Sequence, residues 1–207
     1  MILKLDHISF SCDKEKDYRA SIPQGYREVF AETGLPNTEC KRRFLSDWQD
    51  VHNIIMLQSE SGIPIEVTQY RTVSGEGRMG LYQNEIHIPT RSIPSSVSYF
   101  SRLGLKVLSQ SGTGAVMGLR PFLDKNEFRI YLKQDSSPPL PFLDVMGYSS
   151  IGFLVDSVDK EAEKLRGSGY MVTRPSVLTV NGKLLRIVFS RGGSGEIVEL
   201  IAIGKGE

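Results

Sequence analysis

Residues 148–172, YSSIGFLVDSVDKEAEKLRGSGYMV, form the most regular stretch of the sequence. Apolar residues over 149–155 predict a strand, and the spacing over 156–166 predicts a helix that ends at Gly167 or Gly169. Further strands are predicted at 170–173, 178–180, 184–190 and 197–203. This stretch therefore predicts a strand and a helix followed by a meander of strands, a βαβββ unit.

Two earlier regions repeat the same order. In the first, LKLDHISF predicts a strand, a helix follows from Ser21 to about Glu32, and strands are predicted at 42–48, 52–58 and 63–70. In the second, a strand at 86–89 precedes a helix at 92–103 and strands at 105–110, 115–119 and 127–133. Ser-Ile-Pro begins both predicted helices, at Ser21 and Ser92. Three strands after each helix favour antiparallel meanders and the α+β class.

The sequence thus predicts three βαβββ units, over residues 1–82, 83–137 and 145–204. Its 207 residues are 40% apolar and 24% charged, which is ordinary for a globular protein. A net charge of +1 gives no reason to expect nucleic acid or an anionic membrane as partner. The chain has no apolar run of about 20 residues, no signal-peptide pattern and only two cysteines. We expect a cytoplasmic protein.

Two histidines occupy matching places in the first two units. His7 lies in LDHISF and His87 in NEIHIP, each on the first strand of its unit and each between apolar neighbours. Because side chains alternate along a strand, both histidines point away from the apolar face. A histidine at a fixed point of a repeat suggests that two equivalent strands each offer one ligand or base to a shared site.

The motifs of the third and first units resemble those of the vicinal oxygen chelate superfamily, which includes glyoxalases, bleomycin resistance proteins and extradiol dioxygenases. The resemblance rests on residues 148–172, on LLRIVFSRGGSGEIVELIAI at 184–203, and on LDHISFSC and IPIEVTQY in the first unit. The second unit matches in outline only. The resemblance implies that two units pair to form a cup of mixed sheets with helices on the outer face. It also implies that the first and last strands of each unit supply metal ligands.

Carried over to this sequence, the resemblance assigns six positions to the cup floor: His7, His87 and Ser150 on first strands, and Glu66, Tyr131 and Glu199 on last strands. If the first and second units pair, His7, His87 and Glu66 form a set that suits Fe(II), Mn(II), Zn(II) or Ni(II). Pairing the second and third units leaves one imidazole and one carboxylate. Pairing the first and third gives His7, Glu66, Ser150 and Glu199, a workable set rich in carboxylates. On ligand chemistry we expect the first and second units to pair.

An odd number of units leaves the third without a partner. Because an open sheet face or edge is normally covered, we expect the third unit to pack on its counterpart in a second chain, which gives a homodimer. Two other residues are assigned to structure. Lys41, in a Lys-Arg-Arg run, is expected at a solvated strand end, and His52 is expected to have no role in a site.

Two functions fit this pattern. The first is a metalloenzyme that chelates a small oxygenated metabolite through two adjacent oxygens, as a lyase, isomerase or dioxygenase, with Tyr131 or Glu199 moving protons. The alternative is a metal-free protein of the bleomycin-resistance kind that binds a small molecule or an antibiotic. A degenerate module without a ligand is a third, weaker interpretation. The fold alone cannot choose among them, because it hosts many chemistries.

Overall fold

The computed structural model describes residues 1–14, 17–77, 79–82, 85–123, 127–137 and 140–204. Residues 83 and 84, where the second unit is predicted to begin, lie outside this range. The described residues form fourteen strands and two α-helices: β1 (Ile2–Asp13), β2 (Arg27–Pro36), β3 (Val51–Gln58), β4 (Ile65–Tyr70), β5 (Gly80–Tyr82), β6 (Glu85–Thr90), α1 (Ile93–Arg102), β7 (Lys106–Gln110), β8 (Gly114–Leu119), β9 (Phe128–Gln134), β10 (Gly147–Val155), α2 (Val158–Gly167), β11 (Met171–Val172), β12 (Ser176–Val180), β13 (Lys183–Arg191) and β14 (Ile197–Ile203). The predicted α+β class is confirmed.

Two sheets contain these strands. Eight strands of the larger sheet follow the order β11-β13-β14-β10-β1-β4-β3-β2, with β12 paired to β13 as a ninth. The smaller sheet has the order β5-β6-β9-β8-β7. In the larger sheet β1 runs antiparallel to β10, with Ile8 opposite Ile151. The first region of the chain therefore pairs with the third, and the expected pairing of the first and second regions is wrong.

A short strand explains why the second region has no such partner. β1 pairs along one edge with β4, in parallel, and along its other edge with β10, in antiparallel. Similarly β6 lies parallel to β9, but its other edge pairs with β5, which comes from the segment just before it. Since β5 occupies the edge that a second unit would need, the second region cannot repeat the pairing that joins the first and third.

Two predicted elements of the first region are wrong. Where a helix is predicted from Ser21 to Glu32, the chain makes a 3₁₀ turn at Arg19–Ser21 and then enters β2. Gly25 has a φ of +87°, a value that interrupts a right-handed helix, and β2 gains a full antiparallel partner in β3. The strand predicted at 42–48 is instead a 3₁₀ helix, Glu39–Phe44. Tertiary pairing has overridden the local helix signal here.

The two sheets pack on each other through one apolar core. This core includes Ile8 and Ile65 from the larger sheet and Ile86 and Ile130 from the smaller one, and it also receives both α-helices. Since alternate residues of a strand face opposite ways, the odd-numbered neighbours His7 and His87 point away from this core, on opposite sides of the molecule. Neither helix of the described residues has the length and apolarity that a membrane-spanning helix needs.

Candidate metal centre

Three donor side chains converge on the open face of the larger sheet. His7 comes from β1, Glu66 from β4 and Glu199 from β14, and one ligand atom of each lies within 4.8 Å of the others. Nε2 of His7 is 3.5 Å from a carboxylate oxygen of Glu199 and 4.0 Å from one of Glu66. It is buried and makes no hydrogen bond. The three side chains are only 2, 19 and 12% exposed, so water does little to satisfy them.

Asp6 fixes the orientation of the His7 ring. Its carboxylate accepts a hydrogen bond of 3.1 Å from Nδ1 of His7, which directs the Nε2 side of the ring at Glu66 and Glu199. Consecutive strand residues normally face opposite ways, but the β1–β10 register shifts between Leu5 and His7. A bulge of this kind re-aims a side chain and is common beside functional sites. A carboxylate behind a histidine is also the usual outer partner of a metal ligand.

Gly152 makes room for the same ring. It lies opposite His7 in the β1–β10 pair, and a Cβ at this position would stand 2.5 to 2.8 Å from three atoms of the imidazole. The pairing of Ile8 with Ile151 relates the first and third regions by an approximate two-fold axis, which makes Ser150 the counterpart of His7. The third region therefore contributes Gly152, which leaves room for the imidazole, and has Ser150 at the position that corresponds to His7.

The charges of this cluster are strongly coupled. Burial disfavours the charged form of His7, but the negative charges of Glu66, Asp6 and Glu199 outweigh it and raise the pKa of the ring well above its ordinary value. Burial and the nearby Glu199 raise the pKa of Glu66, while His7 opposes that shift. Without a metal ion, the proton on His7 and the nearby Lys41 ammonium thus supply the positive charge that the two carboxylates require.

This donor set fits a divalent metal ion. Ligand bonds of about 2.0–2.2 Å allow two donors of one ion to lie at most about 4.4 Å apart, and the two distances from Nε2 satisfy this. One imidazole with two carboxylates suits Mn(II), Fe(II) or Zn(II), and a fully protein-made cage is absent among the described residues. A cation would also satisfy the buried Nε2, which makes no hydrogen bond with the described residues.

A cavity of about 340 Å³ opens over the cluster. His7, Glu66 and Glu199 lie among its lining residues, and its walls are largely apolar: Phe30, Leu35, Ile54, Met56, Leu178 and Ile187. The turn between β12 and β13, which contributes Asn181 to the lining, meets β2, where the backbone N–H of Asn181 donates to a carboxylate oxygen of Glu32 at 2.6 Å. The volume and the apolar walls are those of a small-molecule pocket.

Two residues assigned to structure from the sequence also line this cavity. Lys41 is buried rather than solvated, because its 3₁₀ helix packs into the cup, and its ammonium donates to Nε2 of His52 at 3.2 Å. Burial and this ammonium lower the pKa of His52 to about 2, so the ring is neutral. The basic run that contains Lys41 gave no signal of burial, since Arg42 and Arg43 beside it are exposed.

His87 and Tyr131 lie outside this cluster, on the smaller sheet. Their rings stack with centroids 4.8 Å apart, and the hydroxyl of Tyr131 donates to Glu85 at 2.8 Å. Tyr82 of β5 packs edge-on against His87. The expected ligand set of His7, Glu66 and His87 therefore does not assemble. Glu199 takes the place in the cluster that was expected for His87, and Tyr131 has no access to the cavity lining.

No protein-family model and no curated protein matches this sequence. Among solved structures, glyoxalase I from Zea mays has a TM-score of 0.43 at 13% identity, over 96% of this chain and 67% of its own. An integron cassette protein from V. cholerae has a TM-score of 0.43 at 15% identity, and the match covers 60% of this chain and 98% of the cassette protein. A proposed dioxygenase from Bacillus subtilis has a TM-score of 0.43 at 12% identity, and the match covers 99% of this chain and 64% of the dioxygenase. All three TM-scores lie below 0.5, so these likenesses are similarities and support no statement about the activity of this chain.

Proposed function

We propose that this protein binds a divalent metal ion at His7, Glu66 and Glu199 and uses it to hold a small oxygenated substrate in the adjoining cavity. The supporting observation is Nε2 of His7, a buried atom without a hydrogen bond that faces two carboxylates. An unsatisfied buried polar atom costs about 1–3 kcal/mol, so a cation among these three donors would relieve a real penalty.

Metalloenzyme chemistry follows from such a centre. A bound divalent ion would polarise two adjacent oxygens of a substrate as a Lewis acid. Three protein donors leave coordination positions open for those oxygens, as catalytic sites require. Asp6 would hold the His7 ring in place, and the apolar walls would keep water from the reacting atoms. Glu199 would then act as a ligand, and the choice among lyase, isomerase and dioxygenase chemistry stays a prediction.

A metal-free small-molecule binding protein is the second candidate. Two observations favour it: the raised pKa of His7 allows a proton to replace the metal charge, and Ser150 stands where a second imidazole would complete the set. In this case the lining residues themselves would bind the ligand, without a metal ion. The two candidates differ in one measurable property, which is whether Nε2 of His7 binds a metal or a proton at neutral pH.

Metal content decides between them. We expect protein purified without chelators to contain close to one divalent ion per chain by elemental analysis. In calorimetric titrations with Zn(II) and Mn(II), His7→Ala should weaken binding by at least ~100-fold, since it removes a ligand. The matched variant His87→Ala should bind as the native protein does. No metal in the native protein and no binding at high micromolar concentration would favour the metal-free candidate.

We also propose a homodimer, but through the smaller sheet and not through the third unit as the sequence predicted. Because the third region pairs within the chain, it no longer needs a second copy. The face left open is that of the smaller sheet, where Tyr82, His87 and Tyr131 pack together. Light scattering on the native protein and on Tyr82→Ala would test this. We expect a dimer that the substitution weakens, and a native monomer would remove the proposal.

A further inference from the structure

Lys41 is a buried ammonium that makes no direct ion pair among the described residues, although its charge acts on the nearby carboxylate of Glu66. Its residue is 7% exposed, and its Nζ has one hydrogen bond, to neutral His52, and lies 5.6 Å from the centre of the Phe189 ring. Among the described residues no carboxylate oxygen lies within 4.0 Å of Nζ. Burial of an ammonium is costly unless an anion pairs with it. If a metal ion balances Glu66 and Glu199, a ligand in the cavity that Lys41 lines is the remaining source of that anion.

The charges of the cavity floor point to a single negative charge on this ligand. Lys4 and Asp6 pair at 3.1 Å and cancel each other. Glu66 and Glu199 together carry two negative charges, which a divalent ion in the proposed site would balance. Lys41 then remains as one uncompensated positive charge. A monoanion would neutralise the floor, whereas a neutral ligand would leave the ammonium unpaired.

The remainder of the cavity specifies the body of the ligand. Most of the side chains above the floor are apolar, among them Phe30, Met56, Leu178 and Ile187. An apolar body buried against these walls gains roughly 25 cal/mol for each Å² removed from water. The volume of about 340 Å³ is at the small end of the range for ligand pockets. The lining thus combines a polar, charged floor with an apolar chamber.

We propose that Lys41 is the anion-binding residue of this cavity, and that the substrate is an organic monoanion with an apolar body, such as an aliphatic or aromatic carboxylate. Its acidic group lies at the floor between Lys41 and the metal, and its body lies against the apolar walls. This inference rests on the proposed metal site, since the single uncompensated charge appears only when a divalent ion balances the two glutamates.

Matched acid and amide pairs test the charge requirement. Zn(II)-loaded protein is titrated calorimetrically with benzoate and benzamide, phenylacetate and phenylacetamide, and octanoate and octanamide. We expect at least one acid to bind at least ~10-fold more tightly than its amide, because a hydrogen bond to a charged partner is at stake. Lys41→Met should abolish this preference, and Lys183→Met, which removes an exposed lysine of the same lining, should keep it.

The result that overturns the proposal is equally specific: no acid binds the native protein, or the preference persists in Lys41→Met. Thermal unfolding shows whether Lys41→Met is folded. If it is not, Lys41→Gln takes its place, because it removes the charge and keeps a hydrogen-bond donor for His52. Zn(II) affinity is measured on the same variants without organic ligand. Lys41→Met should bind Zn(II) at least as tightly as the native protein, since a repelling charge is gone. Failure of native Zn(II) binding refutes the metal site, while an acid preference that depends on Lys41 in metal-free protein would still assign the anion contact.

Discussion

The larger and the smaller sheet each present a histidine at the same point of a first strand, but the surroundings of the two rings differ. His7 is 2% exposed and faces two carboxylates, whereas His87 is 40% exposed and stacks on a tyrosine. The difference begins at the neighbouring strand. β10 lies beside β1 and is followed across the sheet by β14, which carries Glu199. β5 lies beside β6 and ends the sheet, so among the described residues no donor from a further strand reaches His87.

The surroundings also decide what each set of charges can do. Nε2 of His87 is also buried without a hydrogen bond, but the carboxylate of Glu85, 3.7 Å away, is 44% exposed, so water and salt screen its charge. Around His7 the carboxylates are mostly buried, and the same types of residue shift each other's pKa. A donor residue becomes part of a site when a second unit both encloses it and adds its own donors.

The largest expected effect comes from the glycine that accommodates His7. Gly152→Ala would put a methyl group within 2.8 Å of the ring, so the ring must leave its position between Glu66 and Glu199. We expect Zn(II) affinity to fall by at least ~100-fold and stability to fall by about 1–3 kcal/mol, the usual cost of overpacking. Calorimetry and denaturant unfolding measure the two effects.

A glycine of the smaller sheet provides the control for this substitution. A Cβ at Gly118 would meet mainly the end of the Leu108 side chain, which is 45% exposed and can move. Gly118→Ala should therefore change stability by less than about 0.5 kcal/mol and leave Zn(II) affinity unchanged. Equal effects of the two substitutions would show that the position of His7 does not depend on Gly152.

A smaller effect is expected at the residue behind the ring. Asp6→Asn removes the charge that orients His7, and Zn(II) affinity should fall about 10–100-fold, as for other outer partners of a metal ligand. Glu85→Gln is the matched substitution beside His87, and it should leave Zn(II) affinity unchanged. If both variants bind Zn(II) as the native protein does, Asp6 does not position a ligand.

The same substitution changes the pH dependence of the metal-free protein. Because the folded pKa of His7 is raised, its proton contributes stability that is fully present below the unfolded value of about 6.5 and is lost as pH rises through the folded pKa. Asp6, Glu66 and Glu199 face the ring and cause this shift. Asp6→Asn should lower the pKa of His7 in the folded protein, so the proton on His7 should stabilise the fold over a narrower pH range. Thermal unfolding measured as a function of pH tests this. His7→Gln is the control, because its side chain cannot be protonated in this range.

The smallest effect is expected on the other side of the molecule. Tyr131→Phe removes one hydrogen bond to Glu85, in a place where water can replace it, so stability should fall by less than about 1 kcal/mol. Zn(II) and carboxylate binding should be unchanged. A loss of metal or ligand binding in this variant would mean that the smaller sheet contributes to the site, against the separation of the two histidines.

Alternation of side chains was sufficient to predict which residues of each strand face away from the core. The family resemblance assigned six such residues to the cup floor, and three of them, His7, Glu66 and Glu199, lie in the cluster. The choice of paired units was wrong because the better ligand set, with His87, favoured another pairing. The residues that prevent it form β5, which has only three residues and no pattern that a sequence can reveal.

The remaining site residues depend on features that local sequence does not encode. Asp6 faces the cup because of a register shift in the pairing of β1 with β10. Gly152 matters through the residue opposite it, and Lys41 through a 3₁₀ helix that packs into the cup. The helix predicted from Ser21 failed for a similar reason. Its Ser-Ile-Pro start equals that of α1, but pairing with β3 stabilises a strand instead.

The pairing of β1 with β10 also sets the order in which this chain can fold. Their partners are far apart in sequence, since the whole second region is synthesised between Ile8 and Ile151. Closing so long a loop makes folding slow relative to local helix or hairpin formation. Until β10 is made, the edge of β1 is an unpaired strand that another nascent chain could join. We therefore expect His7 to be the first donor synthesised and the last to become enclosed, with aggregation during refolding as the main competing reaction.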